Sequence, residues 1–318
     1  QIAITAIGYD VLGANANAVD IIAENFNFTE GTKYYLLQDG YEAVLWRLAD
    51  QFGDQGGKIH LNHTLDGFDT DEASGLHTLS FHNKAEVQAR AVVLALPQSA
   101  LQRLRRTGPL FKPENRHLQV LLNSVSAIPL YKLFLVYDRP WWTDAGVRQG
   151  RSLTDLPVRQ CYYWHSDPAG GPSAVMVYND LDSTSFWGGY QTGKLGPGEA
   201  QQHDRLGSPP PAGSSHQDLR HLNWHMHPAP ADMVEEMHRE LVQIHGISDA
   251  PAPIDAAYMD WMNYPFGGAV HFWNPGYRSW EVTRKMTQPV EGVTAYIVGE
   301  AYSTSQTWVE GALETSEY

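Results

Sequence analysis

The stretch GVTAYIVGEAYSTSQTWVEGALET, residues 292–315, combines an apolar strand, a polar turn and the start of a helix. The strand ends at Gly299, where the backbone can approach a ligand closely, and Glu300 then offers a carboxylate to hydroxyl groups. Polar residues at 303–307 provide helix caps, so a helix is predicted to begin near Trp308. An ordinary strand-to-helix turn explains the same pattern as a ligand-binding turn does. Other segments of the chain are needed to choose between these two interpretations.

Composition and charge narrow the class of protein. The chain has 318 residues, of which 42% are hydrophobic and 18% are charged, so it can bury a large core. Its net charge of −14 argues against nucleic acid as a partner, because no face is expected to neutralise a phosphate backbone. The single cysteine, Cys161, excludes an internal disulfide and a C-x-x-C metal site.

The N-terminus of the chain and its apolar runs bear on localisation. No membrane span is predicted, since the longest apolar run, residues 91–96, is far shorter than the roughly 20 residues that a membrane helix needs. The chain begins with Gln1, and we therefore expect a processed or truncated N-terminus. The compartment stays open, because a signal peptide would lie upstream of this sequence.

Apolar periodicity predicts helices and strands on both sides of a polar insertion. Residues 39–52 place apolar side chains on one helical face, which predicts a packed amphipathic helix that stops at Gly53. Residues 231–246 show the same pattern and end in a glycine. Residues 193–217 have almost no apolar side chains and predict an exposed, mobile insertion. Strands are predicted at residues 76–83, 86–97, 131–142, 159–164, 173–180 and 292–300.

One expected motif is missing. No G-x-G-x-x-G follows any predicted strand, so the chain lacks the usual turn that holds a dinucleotide pyrophosphate at a helix N-terminus. Taken alone, this absence points away from a cofactor enzyme.

Five groups of segments nevertheless carry a family resemblance, in the right order. The ending closely resembles the C-terminal flavin-binding motif of the flavin amine oxidase superfamily, and of its L-amino-acid oxidase branch in particular. The other segments that resemble this family are LLQDGYEAVLWRLADQF with TLDGF and AVVLALPQSAL, then KLFLVYDRPWW, then TDLPVRQCYYW with AVMVYNDLD, and finally AYMDWMNYPFGGAVHFW. The resemblance runs from about residue 35 to the end of the chain.

The resemblance implies FAD as the cofactor and assigns roles to single residues. Lys132 would lie by flavin N5 through a water and help the reduced flavin react with O2. Tyr178 would bind the carboxylate of the substrate, and Trp261 and Trp308 would wall the substrate site. No metal is implied. The residues implied to bind the cofactor, in part through the hydroxyls of its ribityl chain, are Glu300, Gly299, Leu65, Trp261, Gln306, Thr307, Trp308 and Val309.

The implied fold is α+β (α/β), with a Rossmann-like FAD-binding domain, incomplete here, and a substrate domain built on a mixed or antiparallel sheet with helices. Residues 1–34 are expected to form an N-terminal helical segment near the substrate site. Residues 35–112 are expected to supply the second part of the FAD-binding domain, and residues 291–318 its C-terminal strand and helix. The substrate domain is expected to span residues 113–290, including the insertion.

The implied reaction is the oxidative deamination of an L-amino acid by O2 to a 2-oxo acid, ammonia and hydrogen peroxide. A flavin would have to accept the electrons, because no side chain can take two. A flavin monooxygenase that forms an amide, an oxidase of a related amine, and a non-catalytic pseudo-oxidase scaffold are the alternatives. Product analysis and the flavin colour separate them.

The chain departs from the family pattern at three points. The dinucleotide motif is missing, the upstream arginine that clamps the substrate carboxylate is missing, and Thr307 stands where many members have glycine. We therefore expect the larger C-terminal piece of an enzyme whose G-x-G-x-x-G segment comes from a second polypeptide or has been lost. A hetero- or homo-oligomer is expected.

Two further clusters have simpler explanations. Asp155 and Arg159 are expected to form a salt bridge that fixes a turn, in preference to a charge pair directed at a substrate. An H-x-H pair can bind zinc, but no third ligand is fixed by spacing, so a polar surface beside the insertion is preferred. The histidines of this second cluster are His221, His225, His227 and His238.

Overall fold

The computed structural model describes residues 15–26, 40–191, 228–262 and 270–317, together with residues 13, 31, 33, 35, 37 and 268. The predicted insertion at 193–217 lies outside the described residues, as do three of the four clustered histidines and most of the segment expected at residues 1–34.

Eight helices and twelve strands make up the regular part of the described chain. The helices are α1 (Ala18–Asn25), α2 (Glu42–Asp54), α3 (Gln98–Arg103), α4 (Arg116–Leu122), α5 (Asp182–Gln191), α6 (Ala231–His245), α7 (Ser279–Thr287) and α8 (Val309–Ser316). The strands are β1 (Leu65–Thr70), β2 (His77–Phe81), β3 (Glu86–Ala89), β4 (Val92–Ala95), β5 (Val125–Ile128), β6 (Leu130–Tyr137), β7 (Arg151–Leu153), β8 (Gln160–His165), β9 (Ser173–Asp180), β10 (Asp255–Asp260), β11 (Val270–Trp273) and β12 (Ala295–Val298).

The largest sheet is antiparallel, with the strand order β10-β6-β9-β8-β7. Side chains of β6 alternate between a fully buried face, which includes Tyr131 and Leu133, and a half-buried face that includes Lys132 and Phe134. This period of two is the pattern from which the strand was predicted. Helix α6 packs Met233 and Met237 against the buried face.

The remaining strands form three smaller sheets: β1-β2-β3 and β11-β5, both antiparallel, and the parallel pair β12-β4. The single strand predicted at residues 86–97 is therefore two strands. Its halves separate because β3 pairs with β2, whereas the Val92 N–H donates to the Thr294 carbonyl at 3.0 Å and leads β4 alongside β12. Mixed helices and sheets agree with the α+β class.

Two clusters of buried apolar side chains hold these layers together. The first joins β1, β4, α3, α4, α7 and β12 through residues such as Phe68, Leu94, Leu118, Val282 and Ile297. The second lies between the five-stranded sheet and helices α5 and α6, and it is rich in large aromatic residues: Tyr131, Tyr137, Trp141, Trp142, Tyr163, Trp187 and Tyr258.

Helix α2 differs from the prediction in two ways. The helix continues through Gly53 and ends before Gly56, whose φ of +87° is the left-handed conformation that terminates helices. Its apolar face is not packed: Val44, Leu45 and Phe52 are 42–60% exposed, and within the described chain no residue of α2 is buried. Periodicity identified the apolar face, but it contains no information about which element covers it.

None of the helices in the described part of the chain is both long and apolar enough to cross a membrane.

Candidate functional site

Lys132, Tyr178 and Trp261 meet on the half-buried face of the large sheet. Lys132 and Tyr178 are cross-strand partners in the β6–β9 pair, and Trp261 directly follows β10, where its N–H donates to the Leu130 carbonyl at 3.1 Å. The Lys132 ammonium lies 5.8 Å from the centre of the Tyr178 ring and 5.8 Å from the centre of the Trp261 ring. The structure thus brings three residues singled out in the sequence into one cluster.

Burial shifts the pKa values of Lys132 and Tyr178 in this cluster. Burial lowers the pKa of Lys132, because the ammonium loses hydration and no carboxylate within the described ranges lies within 4 Å of it. Burial also raises the pKa of Tyr178, and the negative charge of Asp180 raises it further. A cation held by two aromatic faces, beside a phenol that keeps its proton, is suited to binding an anionic group.

Arg159 pairs with Asp180 and not with Asp155, so the expected partner was wrong. The Arg159 guanidinium donates two hydrogen bonds to the Asp180 carboxylate, one of them at 3.2 Å, and both side chains are buried. Arg159 has a φ of +53°, and the turn formed by the Arg159 N–H and the Leu156 carbonyl directs its side chain to β9. Burial raises the pKa of Asp180 to about 6, and the arginine opposes this shift.

Glu300 belongs to a second cluster, at the end of β12. Its Oε1 accepts hydrogen bonds from the backbone N–H of His271, at 2.9 Å, and of Thr307, at 2.7 Å. Its Oε2 lies 2.8 Å from Nδ1 of His271, which is 2% exposed. A carboxylate with three such donors is fixed in orientation.

The backbone on both sides of Glu300 has unusual geometry. Gly299 has a φ of +126°, and a Cβ added there would meet no atom of a described residue within 4 Å, so among these residues the peptide borders open space. Thr307 has a φ of +71°, a left-handed conformation that is strained for a β-branched residue. The position where the family favours glycine therefore keeps a glycine-like backbone although it carries threonine.

Gln306 is buried and orders this turn. Its Oε1 accepts from the Trp273 N–H at 2.9 Å, and its Nε2 donates to the Ala301 carbonyl at 2.7 Å. Both ends of the amide thus bind backbone, and the side chain fixes the loop to β11.

Three other residues singled out in the sequence lie apart from these contacts. Trp308 is 47% exposed, and its indole N–H donates to Glu24 of α1 at 3.2 Å. Val309 begins α8 and is 51% exposed, while Leu65 packs against the first apolar cluster from β1. No described contact joins any of the three to Lys132.

A short segment connects the two clusters. The Gly268 N–H donates to the Trp261 carbonyl at 3.1 Å, and a Cβ added at Gly268 would lie 3.9 Å from Nε2 of His271. That Cβ would also lie 3.0 Å from the Ala127 Cβ, and φ of Gly268 is +141°, so only glycine suits this approach. Glu300 is therefore connected to Trp261 by a series of neighbours: Glu300 contacts His271, His271 lies beside Gly268, and Gly268 is hydrogen-bonded to Trp261.

The histidine cluster is only partly described. His238 lies on α6, where its Nδ1 is 3.0 Å from the Tyr137 hydroxyl and its ring packs edge-on against Trp141. It is half-buried and contacts two members of the second apolar cluster, Tyr137 and Trp141. No group of three potential metal ligands occurs among the described residues.

Comparison with known proteins identifies the family. Residues 6–187 match the model of the flavin containing amine oxidoreductases. The chain belongs to this family. The predicted resemblance is thus confirmed, and so is the prediction of FAD at the level of the family cofactor.

Relatives of this chain include proteins from Lissachatina fulica, Aplysia kurodai and Crotalus adamanteus. Achacin from Lissachatina fulica is 27% identical over 88% of this chain and 52% of its own length, and aplysianin-A from Aplysia kurodai is 29% identical over 75% and 40%. The L-amino-acid oxidase of Crotalus adamanteus is 30% identical over 46% of this chain and 26% of its own length. The chain therefore spans about half the length, or less, of these relatives.

The residues of this chain fit a flavin at three points. The backbone at Gly299 is open, one acceptor position on Glu300 Oε2 remains within the described contacts, and a desolvated cation lies by Trp261. His271 was not predicted from the sequence. A histidine within the strand VHFW gives no signal of its own, and its partner is 29 residues away.

Proposed function

We propose that this protein takes part in the oxidation of an L-amino acid by O2 and water to a 2-oxo acid, ammonia and hydrogen peroxide. The observation that carries the proposal is the position of the Lys132 ammonium, 5.8 Å from the ring centres of both Tyr178 and Trp261. Relatives named L-amino-acid oxidase support the choice of substrate class.

Each residue of this cluster has a role in the proposal. The Tyr178 hydroxyl, which burial keeps protonated, donates a hydrogen bond to the substrate carboxylate. Trp261 forms an apolar wall that excludes water from the amine carbon. The Lys132 ammonium holds a water and offsets negative charge that develops at the reacting atoms. A bound flavin supplies the acceptor for the two electrons of the amine.

The cofactor edge is proposed to be the loop after β12. Glu300 accepts a hydrogen bond from a ribityl hydroxyl, and the open backbone at Gly299 allows close approach. Gln306 and Thr307 hold this loop in shape, as their hydrogen bonds indicate. Trp308, Val309 and Leu65 complete the proposed edge, and Trp308 also borders the substrate.

The domain organisation follows the same proposal. The parallel pair β12-β4 belongs to an incomplete FAD-binding domain formed by residues 35–112 and 291–318, and the five-stranded sheet belongs to a substrate domain at 113–290. Residues 1–34 form an N-terminal helical segment near the substrate site in this proposal. A parallel pair is normally part of a larger sheet covered on both faces. Val93 of β4 is 61% exposed, which supports a further layer there.

That layer is proposed to come from a second polypeptide segment with the G-x-G-x-x-G motif. The exposed apolar face of α2 supports a covering layer of this kind. Amide hydrogen exchange tests this partner. A polypeptide with the part of achacin that lies outside the matched region should slow amide exchange in α2 and β4 when it is added to this chain. Unchanged exchange in both elements would reject the partner.

The proposed reaction is tested by product analysis over the common L-amino acids with the isolated flavoprotein. Peroxide and 2-oxo acid in equal amounts are expected. Release of CO2 with an amide would indicate a monooxygenase instead. Colourless, folded protein without peroxide would indicate a non-catalytic scaffold.

A further inference from the structure

His271 is the residue on which this inference is based. It lies on β11, is 2% exposed, and contacts Glu300 twice, through its backbone N–H and through ring Nδ1. A carboxylate beside Nδ1 favours the tautomer with the proton on that atom, so the ring donates and Glu300 accepts. His271 is thus a donor of two of the three hydrogen bonds that the Glu300 carboxylate receives from described residues.

The other ring nitrogen has no hydrogen-bond partner among the described residues. Nε2 of His271 is buried and makes no hydrogen bond with any described residue, and it lies beside Gly268. Within the described contacts, the orientation of the ring therefore depends on Glu300 alone. A buried histidine that donates to a carboxylate in this way also fixes the orientation of that carboxylate.

The contacts of Glu300 determine how many further hydrogen bonds its carboxylate can accept. Each carboxylate oxygen accepts about two hydrogen bonds, and Oε1 is filled by the backbone N–H groups of His271 and Thr307. Oε2 accepts one bond, from Nδ1 of His271, and its second position is left for a ligand. The Glu300 side chain is 19% exposed, so this position can be reached from outside.

We propose that His271 is a positioning residue that aims the second lone pair of Glu300 Oε2 at a single hydroxyl group of the flavin side chain. This inference rests on the proposed function, because it assumes a flavin at Glu300. It adds that selection between flavins with and without hydroxyl groups depends on Nδ1 of His271. In this proposal, the contacts of the isoalloxazine ring itself do not depend on His271.

The test measures dissociation constants of riboflavin and of lumiflavin, which lacks the hydroxyl chain, with flavin-free protein by fluorescence quenching. His271→Asn keeps a donor where Nδ1 lies, whereas His271→Gln places its amide where Nε2 lies. The wild type and His271→Asn should prefer riboflavin. In His271→Gln the preference should fall by about tenfold, the equivalent of one hydrogen bond to a charged group.

A matched control separates this role from stability. His77 is 1% exposed and bonded through both ring nitrogens, to Thr70 and Thr294, but has no carboxylate partner among the described contacts. His77→Gln should weaken folding without changing the preference for riboflavin. If the His271→Gln substitution prevents folding, Glu300→Gln should reduce the preference in the same way, because its amide cannot accept at both positions.

The outcomes are distinguishable. An unchanged preference in His271→Gln, or a wild type that binds both flavins equally, would overturn the role of His271 and leave the proposed function in place. A wild type that binds neither flavin would overturn the proposed function, and the inference with it.

Discussion

Lys132 on β6 and Tyr178 on β9 are direct cross-strand partners, and the lysine ammonium lies 5.8 Å from the centre of the tyrosine ring. We predict that Lys132→Met lowers the rate of peroxide formation by about 100-fold, because a preorganised charge at the reacting atoms is lost. KM for the amino acid should change little, since Tyr178 remains. Steady-state kinetics with Lys132→Arg as the conservative variant measure both values.

The matched control for this prediction is the exposed Lys285 on α7. Lys285→Met removes the same charge from the surface and should leave the rate unchanged. Equal rates for Lys132→Met and the wild type would contradict the role proposed for Lys132.

Thr307 gives a prediction about stability. Its φ of +71° is strained for threonine, whereas glycine adopts this conformation freely. Thr307→Gly should raise the free energy of unfolding by about 0.5–1 kcal/mol, after the greater entropy of an unfolded glycine is subtracted. Urea denaturation measures the change. The control is Thr64→Gly, at an exposed threonine outside the left-handed region, which should lower the free energy of unfolding. If both substitutions lowered the free energy of unfolding, Thr307 would not be strained.

The buried Arg159–Asp180 pair gives a double-mutant prediction. Asp180→Leu alone leaves a buried guanidinium without its carboxylate, and it should lower the free energy of unfolding by about 3–5 kcal/mol. Arg159→Met with Asp180→Leu should recover most of this loss, because both charges are then absent. Additive losses in denaturation experiments would show that the pair is not coupled.

Glu240 on α6 predicts a pH dependence. Burial raises the pKa of Glu240 from 4.5 to about 6, although its Oε2 accepts from the Val158 N–H at 2.6 Å. A raised carboxyl pKa means that folding favours the protonated form, so this stability is complete below pH 4.5 and is lost as the pH rises through about 6. The advantage of Glu240→Gln over the wild type should therefore grow across this interval and then level off.

Glu236 on the same helix serves as the control with the opposite sign. A hydrogen bond from Arg239 lowers the pKa of Glu236, so its contribution is lost as the pH falls through the folded pKa. Denaturation of Glu236→Gln from acid to neutral pH should show a deficit that appears as the pH rises through the folded pKa, below 4.5, and that is complete above pH 4.5. A flat difference for Glu240→Gln would contradict the burial effect.

Local pattern explains which parts of the fold were predictable. The alternation of residues 131–137 identified β6 and separated its buried face from the face that carries Lys132. Helix α6 followed from its apolar spacing and from Gly246, which has a φ of +66°. Both features depend on residues close together in sequence.

Features that depend on distant packing were not predictable. The contact between Glu300 and His271 requires β11 to lie beside the loop that follows β12, and no spacing in the sequence fixes this. Arg159 reaches Asp180 because a turn reverses the chain before β8. The exposure of α2 depends on whether another layer covers it, which its own periodicity cannot indicate.

The central claim is that residues of this chain form a site in which a flavin oxidises L-amino acids. Anaerobic mixing of the flavoprotein with L- and D-amino acids, followed by flavin absorption, tests it most directly. An L-amino acid should bleach the long-wavelength flavin band and yield one 2-oxo acid per flavin, whereas its D-isomer should have no effect. An unchanged spectrum with every L-amino acid, or equal bleaching by both isomers, would contradict the account.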